Sequence, residues 1–157
     1  MNISEIMTRD VRTCRDNDMM NAAAQAMWEQ NCGCVPLVDG SGKAVGVITD
    51  RDICMASYTQ GLPLTQIPVS RAASFNIVTV RDTDSIDSAE TLMQQHRVRR
   101  LPVTDKDGRL VGIVSLSDLS RHAGNRNGKL DGSSVVRTLA AICSPPPKSL
   151  QSPAAPV

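Results

Sequence analysis

Aromatic side chains are almost absent from this chain. Among its 157 residues only Trp28, Tyr58 and Phe75 are aromatic, which is 2% of the total. Proteins that bind single-stranded nucleic acid commonly stack bases on aromatic side chains, so a nucleic-acid partner is not expected. Aliphatic side chains, alanine and methionine must instead fill the core, and the 41% of hydrophobic residues are enough to build one.

Long runs of one kind of side chain are also missing. The net charge is +1, and the densest basic cluster, Arg97 with Arg99 and Arg100, suits one phosphate group but not a duplex backbone. No apolar stretch approaches the roughly 20 residues that span a membrane, and residues 1–10 lack the pattern of a secretion signal. We therefore predict a cytoplasmic protein without a membrane partner.

The two halves of the chain repeat one another. Residues 6–55 align without a gap with residues 72–121, and twelve of the aligned residues are identical. The identities include Gly46 with Gly112 and Asp52 with Asp118. A gapless match of this length indicates two copies of one supersecondary unit.

Each copy predicts the order β-α-β-β-α. Short β-prone runs predict strands at 11–13, 35–38 and 44–48, and at 77–80, 101–103 and 110–114 in the second copy. Acidic and hydroxyl residues at 16–18 and 82–85 are typical N-caps of a first helix. Thr49 and Ser115 are predicted to cap a second helix, with Asp52 and Asp118 at its third position.

These elements predict a mixed α/β fold in which the two units pack sheet against sheet, with their helices outside. The predicted boundaries are 1–55 for the first repeat, 56–71 for a linker, 72–121 for the second repeat and 122–157 for a C-terminal extension. The extension is glycine-rich and then proline-rich, so we expect it to be largely flexible apart from one short helix at 135–143.

Five cysteines are present, an odd number that suits reduced thiols rather than a disulfide framework. Cys32 and Cys34 invite a metal interpretation, but a structural zinc site usually takes four thiolate or imidazole ligands, and the chain has only two histidines. Because Cys14 and Cys32 align with valines, we interpret the thiols as core-filling and predict no metal site; a redox switch through Cys32 and Cys34 stays open. No catalytic triad, Walker loop or pair of catalytic carboxylates is evident, so we predict that the chain is not an enzyme.

The two copies end in the same motif, and this motif carries a resemblance. The pattern G-h-h-[ST]-x-x-D, in which h is hydrophobic, occurs at 46–52 and again at 112–118, and Ile6-Met7-Thr8 precedes the first predicted strand. With the runs at 35–52 and 101–118, the chain resembles the CBS domain family over residues 3–121. The resemblance implies a pseudo-two-fold pair, the Bateman module, which is usually regulatory and often dimerises through its helices. Such modules commonly bind AMP, ADP, ATP, NAD or S-adenosylmethionine, and no cofactor is required.

The aspartate of each motif suits the sugar of such a ligand, because one carboxylate can accept hydrogen bonds from both ribose hydroxyls. Thr49 and Ser115 stand one helical turn before Asp52 and Asp118, where a hydroxyl and free backbone N–H groups would favour a phosphate. A plain helix cap, which stabilises a helix by about 1 kcal/mol, would explain the same spacing without a ligand. Because the motif occurs at equivalent positions in both repeats, we favour ligand binding over a plain helix cap.

By resemblance, each cleft draws on both repeats. The cleft of Asp118 would use Ser115 and Arg100, together with Thr8, Val11, Thr13, Cys32, Gly33 and Cys34 from the first repeat. The cleft of Asp52 would use Thr49 and Arg51, together with Ser74, Ile77, Thr79, Val98 and Arg99 from the second repeat. Val11 and Ile77 would enclose adenine, and the two arginines of the second repeat would bind phosphate. Because these arginines align with Gly33 and Cys34, positive charge is one-sided, which predicts unequal affinity of the two clefts for an anionic nucleotide.

The sequence thus predicts a regulatory sensor that binds an adenine nucleotide, forms a homodimer and acts on a separate protein through a conformational or oligomeric change. The alternative is a ligand-free scaffold for dimerisation or protein interaction. Apolar side chains exposed on the helices would favour that alternative, for instance Met19, Met20 and Trp28.

Overall fold

The computed structural model of this chain describes residues 1–124 and 130–145. The first half comprises α1 (Met20–Glu29), β1 (Cys34–Val38), β2 (Ala44–Thr49) and α2 (Asp50–Gln60). The second half comprises β3 (Val80–Arg81), α3 (Ile86–His96), β4 (Arg100–Thr104), β5 (Leu110–Ser115) and α4 (Leu116–Gly124), followed by α5 (Gly132–Cys143). The strands form two small sheets, β1-β2 and β3-β4-β5, so the predicted mixed α/β class is confirmed. None of the helices in these ranges has the length and apolarity needed to cross a lipid bilayer.

The two halves share one hairpin register. Cys34 pairs with Thr49 in the antiparallel β1-β2 hairpin, and Arg100 pairs with Ser115 in the antiparallel β4-β5 hairpin. In both hairpins the hydroxyl residue that precedes a helix therefore lies beside the first residue of the opposite strand. This arrangement places the starts of α2 and α4 at equivalent positions in their repeats.

The first predicted strand of each repeat is much shorter than expected. Residues 11–13 form no strand, and only the neighbouring Cys14 makes a bridge, with Leu37 of β1. In the second repeat only Val80–Arg81 pairs, in parallel, with β4. The side chains of Arg12 and Thr13 are exposed, so burial adds little to strand pairing at this place.

The caps of the first helix in each repeat also differ. Ser85 caps α3 by accepting a hydrogen bond from the backbone N–H of Ser88, as predicted. The expected cap of α1 at 16–18 is wrong, because Met19 occupies the N-cap position without a side-chain hydrogen bond. Asp18 instead accepts a hydrogen bond of 2.8 Å from the backbone N–H of Arg15 and so closes the preceding turn.

The first residues of each repeat pair with the sheet of the other half. Thr8 and Ile113 of β5 exchange two backbone hydrogen bonds of 2.9 Å, and Ser74 and Val47 of β2 do the same. Gly112 permits the first of these approaches, because a Cβ added there would lie 2.8 Å from the carbonyl oxygen of Thr8.

Each half has its own hydrophobic core. Each core also contains side chains from a segment that lies outside that half's repeat. Ile3 and Met7, from the N-terminus, are buried in the core of the second half. Ile67 and Val69, from the segment between the repeats, are buried in the core of the first half. Neither core is complete without a segment that the sequence repeat assigns elsewhere, so the two halves fold as interdependent units.

The C-terminal extension contributes an ordered helix. The helix predicted at 135–143 is confirmed as α5, which begins at Gly132 and packs against α3 and α4. Glu90 of α3 is only 5% exposed and accepts hydrogen bonds from Ser134 (3.0 Å) and Thr138 (3.2 Å) of α5. Residues 122–124, which were predicted to begin the flexible extension, instead complete α4. The stretches at 125–129 and 146–157, which were also predicted to be flexible, lie outside the described residues.

Candidate functional site

Two clefts lie where residues of the two halves come together. The Asp52 cleft, at the start of α2, has a volume of about 730 Å³. The Asp118 cleft, at the start of α4, has a volume of about 890 Å³. Ligand pockets commonly measure about 300–1,000 Å³, so both clefts have the size of a small-molecule site. The clefts adjoin and share a wall formed by Gly33, Cys34, Arg99, Arg100 and Ile113.

The aspartate at each cleft also caps its own helix. Asp52 Oδ2 accepts hydrogen bonds from the backbone N–H (2.8 Å) and the hydroxyl (2.7 Å) of Thr49, and its own N–H donates to that hydroxyl oxygen. Asp118 Oδ2 makes the same contacts with Ser115, at 2.8 and 2.6 Å. The predicted caps are therefore present, and they occupy only one oxygen of each carboxylate. Capping and ligand binding are compatible, because the other oxygen, Oδ1, takes no part in the cap.

The second carboxylate oxygen distinguishes the two repeats. Asp118 Oδ1 accepts a hydrogen bond from the guanidinium group of Arg121, which forms an ion pair with it. Among the residues that the structure describes, no group donates to Asp52 Oδ1. The residue aligned with Arg121 is Met55, an exposed side chain that cannot form such a pair. Asp52 therefore offers an open acceptor to its cleft, whereas the acceptor of Asp118 is already paired.

The starts of the two helices offer fewer free N–H groups than the sequence led us to expect. In α2, the N–H of Asp50 donates to the carbonyl of Gly33 (3.3 Å) and that of Arg51 donates to the Asp50 side chain (2.8 Å). In α4, the N–H of Leu116 donates to the carbonyl of Arg99 (2.9 Å). A phosphate held by free helix N–H groups is therefore a wrong expectation for α2, where carbonyl and side-chain oxygens already satisfy these donors. In α4, no residue that the structure describes accepts a hydrogen bond from the N–H of Ser117, which lines the Asp118 cleft. That N–H group and the cations near the clefts are the groups left for a phosphate.

Most residues expected at the Asp52 cleft are found in its wall. The wall includes seven of the eight expected side chains: Thr49, Arg51, Asp52, Ser74, Ile77, Val98 and Arg99. Thr79 is not in the wall; it is half-buried and directly precedes β3. The polar residues that the sequence did not assign to this cleft are Asp50, Asn76, His96, Arg97 and Arg100.

The Asp118 cleft gives a similar outcome. Its wall includes eight of the nine expected residues: Thr8, Val11, Cys32, Gly33, Cys34, Arg100, Ser115 and Asp118. Thr13 is not among them and lines a separate recess beside Val38 and Gly42. Val11 lines both the cleft and this recess, whereas Thr13, two residues further along the segment, lines only the recess of these two.

Positive charge is not one-sided, contrary to expectation. Arg99 and Arg100 belong to the second repeat in sequence, yet both line both clefts. The reason is geometric: Arg100 and its aligned residue Cys34 each begin a strand at the place where the two clefts meet. The two walls each contain two aspartates and four arginines, so the clefts differ in where these charges lie and not in their number.

The cysteines separate into buried and exposed thiols. Burial raises the pKa of the Cys34 thiol, and the hydrogen-bonded Arg100 guanidinium offsets part of this rise. Burial, assisted by the charge of Asp18, raises the pKa of Cys14 to about 11. The core-filling interpretation therefore holds for Cys14 but is wrong for Cys32, which is exposed at the Asp118 cleft. Within residues 1–124 and 130–145, no three His, Cys, Asp or Glu side chains are grouped to hold a metal ion.

This division predicts the reactivity of the five thiols. We expect brief alkylation of the native protein at pH 8 to modify only the exposed Cys32, Cys54 and Cys143, with mass spectrometry as the readout. Cys14 and Cys34 are protected because they are buried and their raised pKa leaves little thiolate at that pH. Alkylation in denaturant, as the control, should modify all five. Rapid modification of Cys34 in the native protein would contradict the burial of this thiol.

Arg121 and Arg97 line the clefts but were not predicted from the sequence. The sequence contains a signal for the contact of Arg121 but none for the contacts of Arg97. Arg121 lies three residues after Asp118 on one helix, a spacing at which opposite charges meet, so the pair could have been predicted. Arg97 lines the Asp52 cleft, but its guanidinium donates to the carbonyls of Ser144 (2.7 Å) and Pro145 (3.0 Å) beyond α5. No local pattern indicates that second contact, because it joins residues almost fifty positions apart.

The two repeats agree with the comparison to known protein families. The family model of the CBS domain matches residues 3–58 and 69–125. The chain belongs to the CBS domain family. The two CBS domains contain both capping aspartates, whereas α5 lies beyond the matched residues.

Relatives of this CBS pair include curated proteins and solved structures. It is 39% identical over 118 residues to CBS domain-containing protein YhcV of Bacillus subtilis, covering 75% of this chain and 82% of that protein. It is 33% identical over 141 residues to Hypoxic response protein 1 of Mycobacterium tuberculosis, covering 90% and 93%. The crystal structure of Hypoxic Response Protein I with two coordinated zinc ions matches with a TM-score of 0.70, at 33% identity over 78% of this chain and 98% of that one. The CBS domain pair of protein MJ0100, in complex with 5′-methylthioadenosine and S-adenosyl-L-methionine, matches with a TM-score of 0.71, at 27% identity over 79% and 96%.

Proposed function

We propose that this CBS pair is a regulatory module that binds an adenosine-type ligand between its repeats, with the ribose on Asp52. The observation that carries the proposal is the carboxylate of Asp52. Its Oδ2 is held by Thr49, so the side chain is fixed in one orientation, while Oδ1 is open at the cleft. A carboxylate oxygen has two acceptor sites and hydrogen-bonds strongly, which suits the two adjacent hydroxyls of ribose.

The walls of the Asp52 cleft supply what the rest of an adenine nucleotide needs. Ile77 and Val98 provide apolar surface for the adenine ring, and Arg51, Arg99 and Arg100 provide cations for phosphate oxygens. AMP, ADP, ATP and NAD share these features, and S-adenosylmethionine shares the adenosine. The complex of the related MJ0100 pair with two adenosine derivatives supports this ligand class. The ligand is a signal in this proposal, with no cofactor required and no chemical step.

Ligand binding could regulate the protein because each cleft is built from both halves. Each cleft is lined by residues of both halves, so a ligand that bridges them favours whichever arrangement of the halves fits it best. The shift between arrangements is limited to the ligand's difference in affinity for them. We propose that a homodimer in the cytoplasm, where thiols stay reduced, passes this shift to a regulated protein.

A ligand-free scaffold is the second candidate, and exposed apolar side chains favour it. Of the side chains expected to be exposed, Trp28 of α1 is 88% exposed and Met19 is 39% exposed, but Met20 is buried. Tyr58 and Met55 of α2 are also exposed, at 83% and 47%. Large apolar groups on neighbouring helices commonly mark a protein interface. The same surface would also suit the homodimer of the first candidate. The two candidates are therefore distinguished by whether the protein binds a ligand.

Thermal unfolding with a panel of nucleotides tests the proposal. A ligand at about 100 times its Kd stabilises the folded state by about 2.7 kcal/mol, which for a chain of this size raises the Tm by about 5–10 °C. We expect such a rise with at least one of AMP, ADP, ATP, NAD and S-adenosylmethionine. The 2′-deoxy analogue of that ligand is the matched control and should bind at least about tenfold more weakly, since it lacks one ribose hydroxyl. A Tm that no adenine compound changes would support the scaffold instead.

A further inference from the structure

The ion pair between Arg121 and Asp118 is formed within α4 and lies in the Asp118 cleft. The Asp118 side chain is only 4% exposed, whereas the Arg121 side chain is 73% exposed. The carboxylate is therefore fixed by its surroundings, and the guanidinium is the partner that can move. Because Ser115 already occupies Oδ2, the oxygen that Arg121 contacts is the one left for a ribose.

Resting on the proposed function, we propose that Arg121 makes the Asp118 cleft selective for phosphorylated nucleosides. The guanidinium contacts Asp118 Oδ1, the oxygen that would accept a hydrogen bond from ribose. It moves away from this oxygen when a phosphate group binds it more strongly. A neutral nucleoside must disrupt the ion pair and leaves the guanidinium with solvent alone. A nucleotide disrupts the same pair but supplies a phosphate, to which a guanidinium binds through two parallel hydrogen bonds.

The first repeat lacks this arrangement. Met55 stands at the position of Arg121, and no residue that the structure describes donates a hydrogen bond to Asp52 Oδ1. The walls of the two clefts have the same formal charge, since each contains two aspartates and four arginines, so the clefts differ in whether a guanidinium covers the carboxylate. The Asp52 cleft is therefore the one that admits neutral adenosine, and the Asp118 cleft is the one that requires a phosphate.

Calorimetry with adenosine and AMP on single-cleft variants tests this assignment. In an Asp52→Asn background, which leaves the Asp118 cleft as the site, we expect AMP to bind more tightly than adenosine. Adding Arg121→Met, which installs the residue of the first repeat, should strengthen adenosine binding about fivefold and weaken AMP binding about fivefold, as loss of a partly exposed ion pair allows. Arg121→Lys is the conservative control and should keep the preference for AMP, because an ammonium can also pair with Asp118 and with phosphate.

The reciprocal exchange tests the same idea in the other cleft. In an Asp118→Asn background, Met55→Arg should weaken adenosine binding about fivefold, because the new guanidinium can reach Asp52 Oδ1 at the same spacing. Unchanged AMP-to-adenosine ratios in both exchanges, or no AMP binding in the Asp52→Asn background, would overturn the role of Arg121 alone. Absence of binding by the unaltered protein to any adenine compound would overturn the proposed function, and this inference with it.

Discussion

Replacing Asp52 with asparagine is expected to lower the affinity of the Asp52 cleft for AMP about 10- to 100-fold, because hydrogen bonds to a charged group contribute about 1.5–3 kcal/mol each. The substitution separates the two tasks of this side chain. The amide oxygen can still accept the hydrogen bonds of Thr49 that cap α2. The amide nitrogen then takes the place of Oδ1 and presents a donor where ribose needs an acceptor. Calorimetry in an Asp118→Asn background measures the loss at this one cleft.

Two further substitutions make the Asp52 result interpretable. Asp52→Ala removes the aspartate's half of the capping box as well as the ribose acceptor, while Thr49 can still accept the backbone N–H of residue 52. The same loss of affinity should therefore come with a lower free energy of unfolding, by about 1 kcal/mol at most. Asp87→Asn alters another aspartate in the first turn of a helix, α3, away from both clefts, and should change AMP affinity little. An AMP affinity that stays the same in Asp52→Asn would remove the ribose role from Asp52.

Replacing Gly112 with valine is expected to lower the free energy of unfolding by about 3 kcal/mol, at the upper end of the usual cost of overpacking. A Cβ at this position would lie 2.8 Å from the carbonyl oxygen of Thr8 and 2.8 Å from the sulfur of Met7. Met7 can adjust its side chain, but Thr8 exchanges two backbone hydrogen bonds with Ile113 and cannot retreat without losing them. The Tm should fall by about 6–12 °C, as measured by thermal unfolding together with urea titration.

The glycines themselves provide graded controls for this prediction. At Gly46 an added Cβ would lie 3.0 Å from the carbonyl oxygen of Ser74, so Gly46→Ala should destabilise the protein less than Gly112→Ala. At Gly40 nothing lies within 4 Å of an added Cβ, so Gly40→Ala should leave the Tm within about 1–2 °C. A valine at 112 that is tolerated as well as an alanine at 40 would show that the N-terminal segment does not pair with β5.

Local patterns were sufficient where the interactions are local. The repeat, the hairpins and the caps at Thr49 and Ser115 depend on residues a few positions apart, and all of them were predicted. The cap expected at 16–18 failed for a related reason, since Asp18 has a competing local partner in Arg15. The strand expected at 11–13 failed because strand pairing depends on a neighbour that the segment's own sequence does not describe.

The sequence by itself determined that two copies of one unit exist and that each ends in a capped helix carrying an aspartate, because turn, cap and strand chemistry act over a few residues. Only the tertiary structure decided that Ile3 and Met7 complete the core of the second half, and that Arg99 and Arg100 serve both clefts. The same holds for which carboxylate oxygen stays open, since that depends on every donor within reach of it. Contacts between distant segments are selected by burial and by geometric fit among all segments at once, and no single stretch of the sequence encodes that selection.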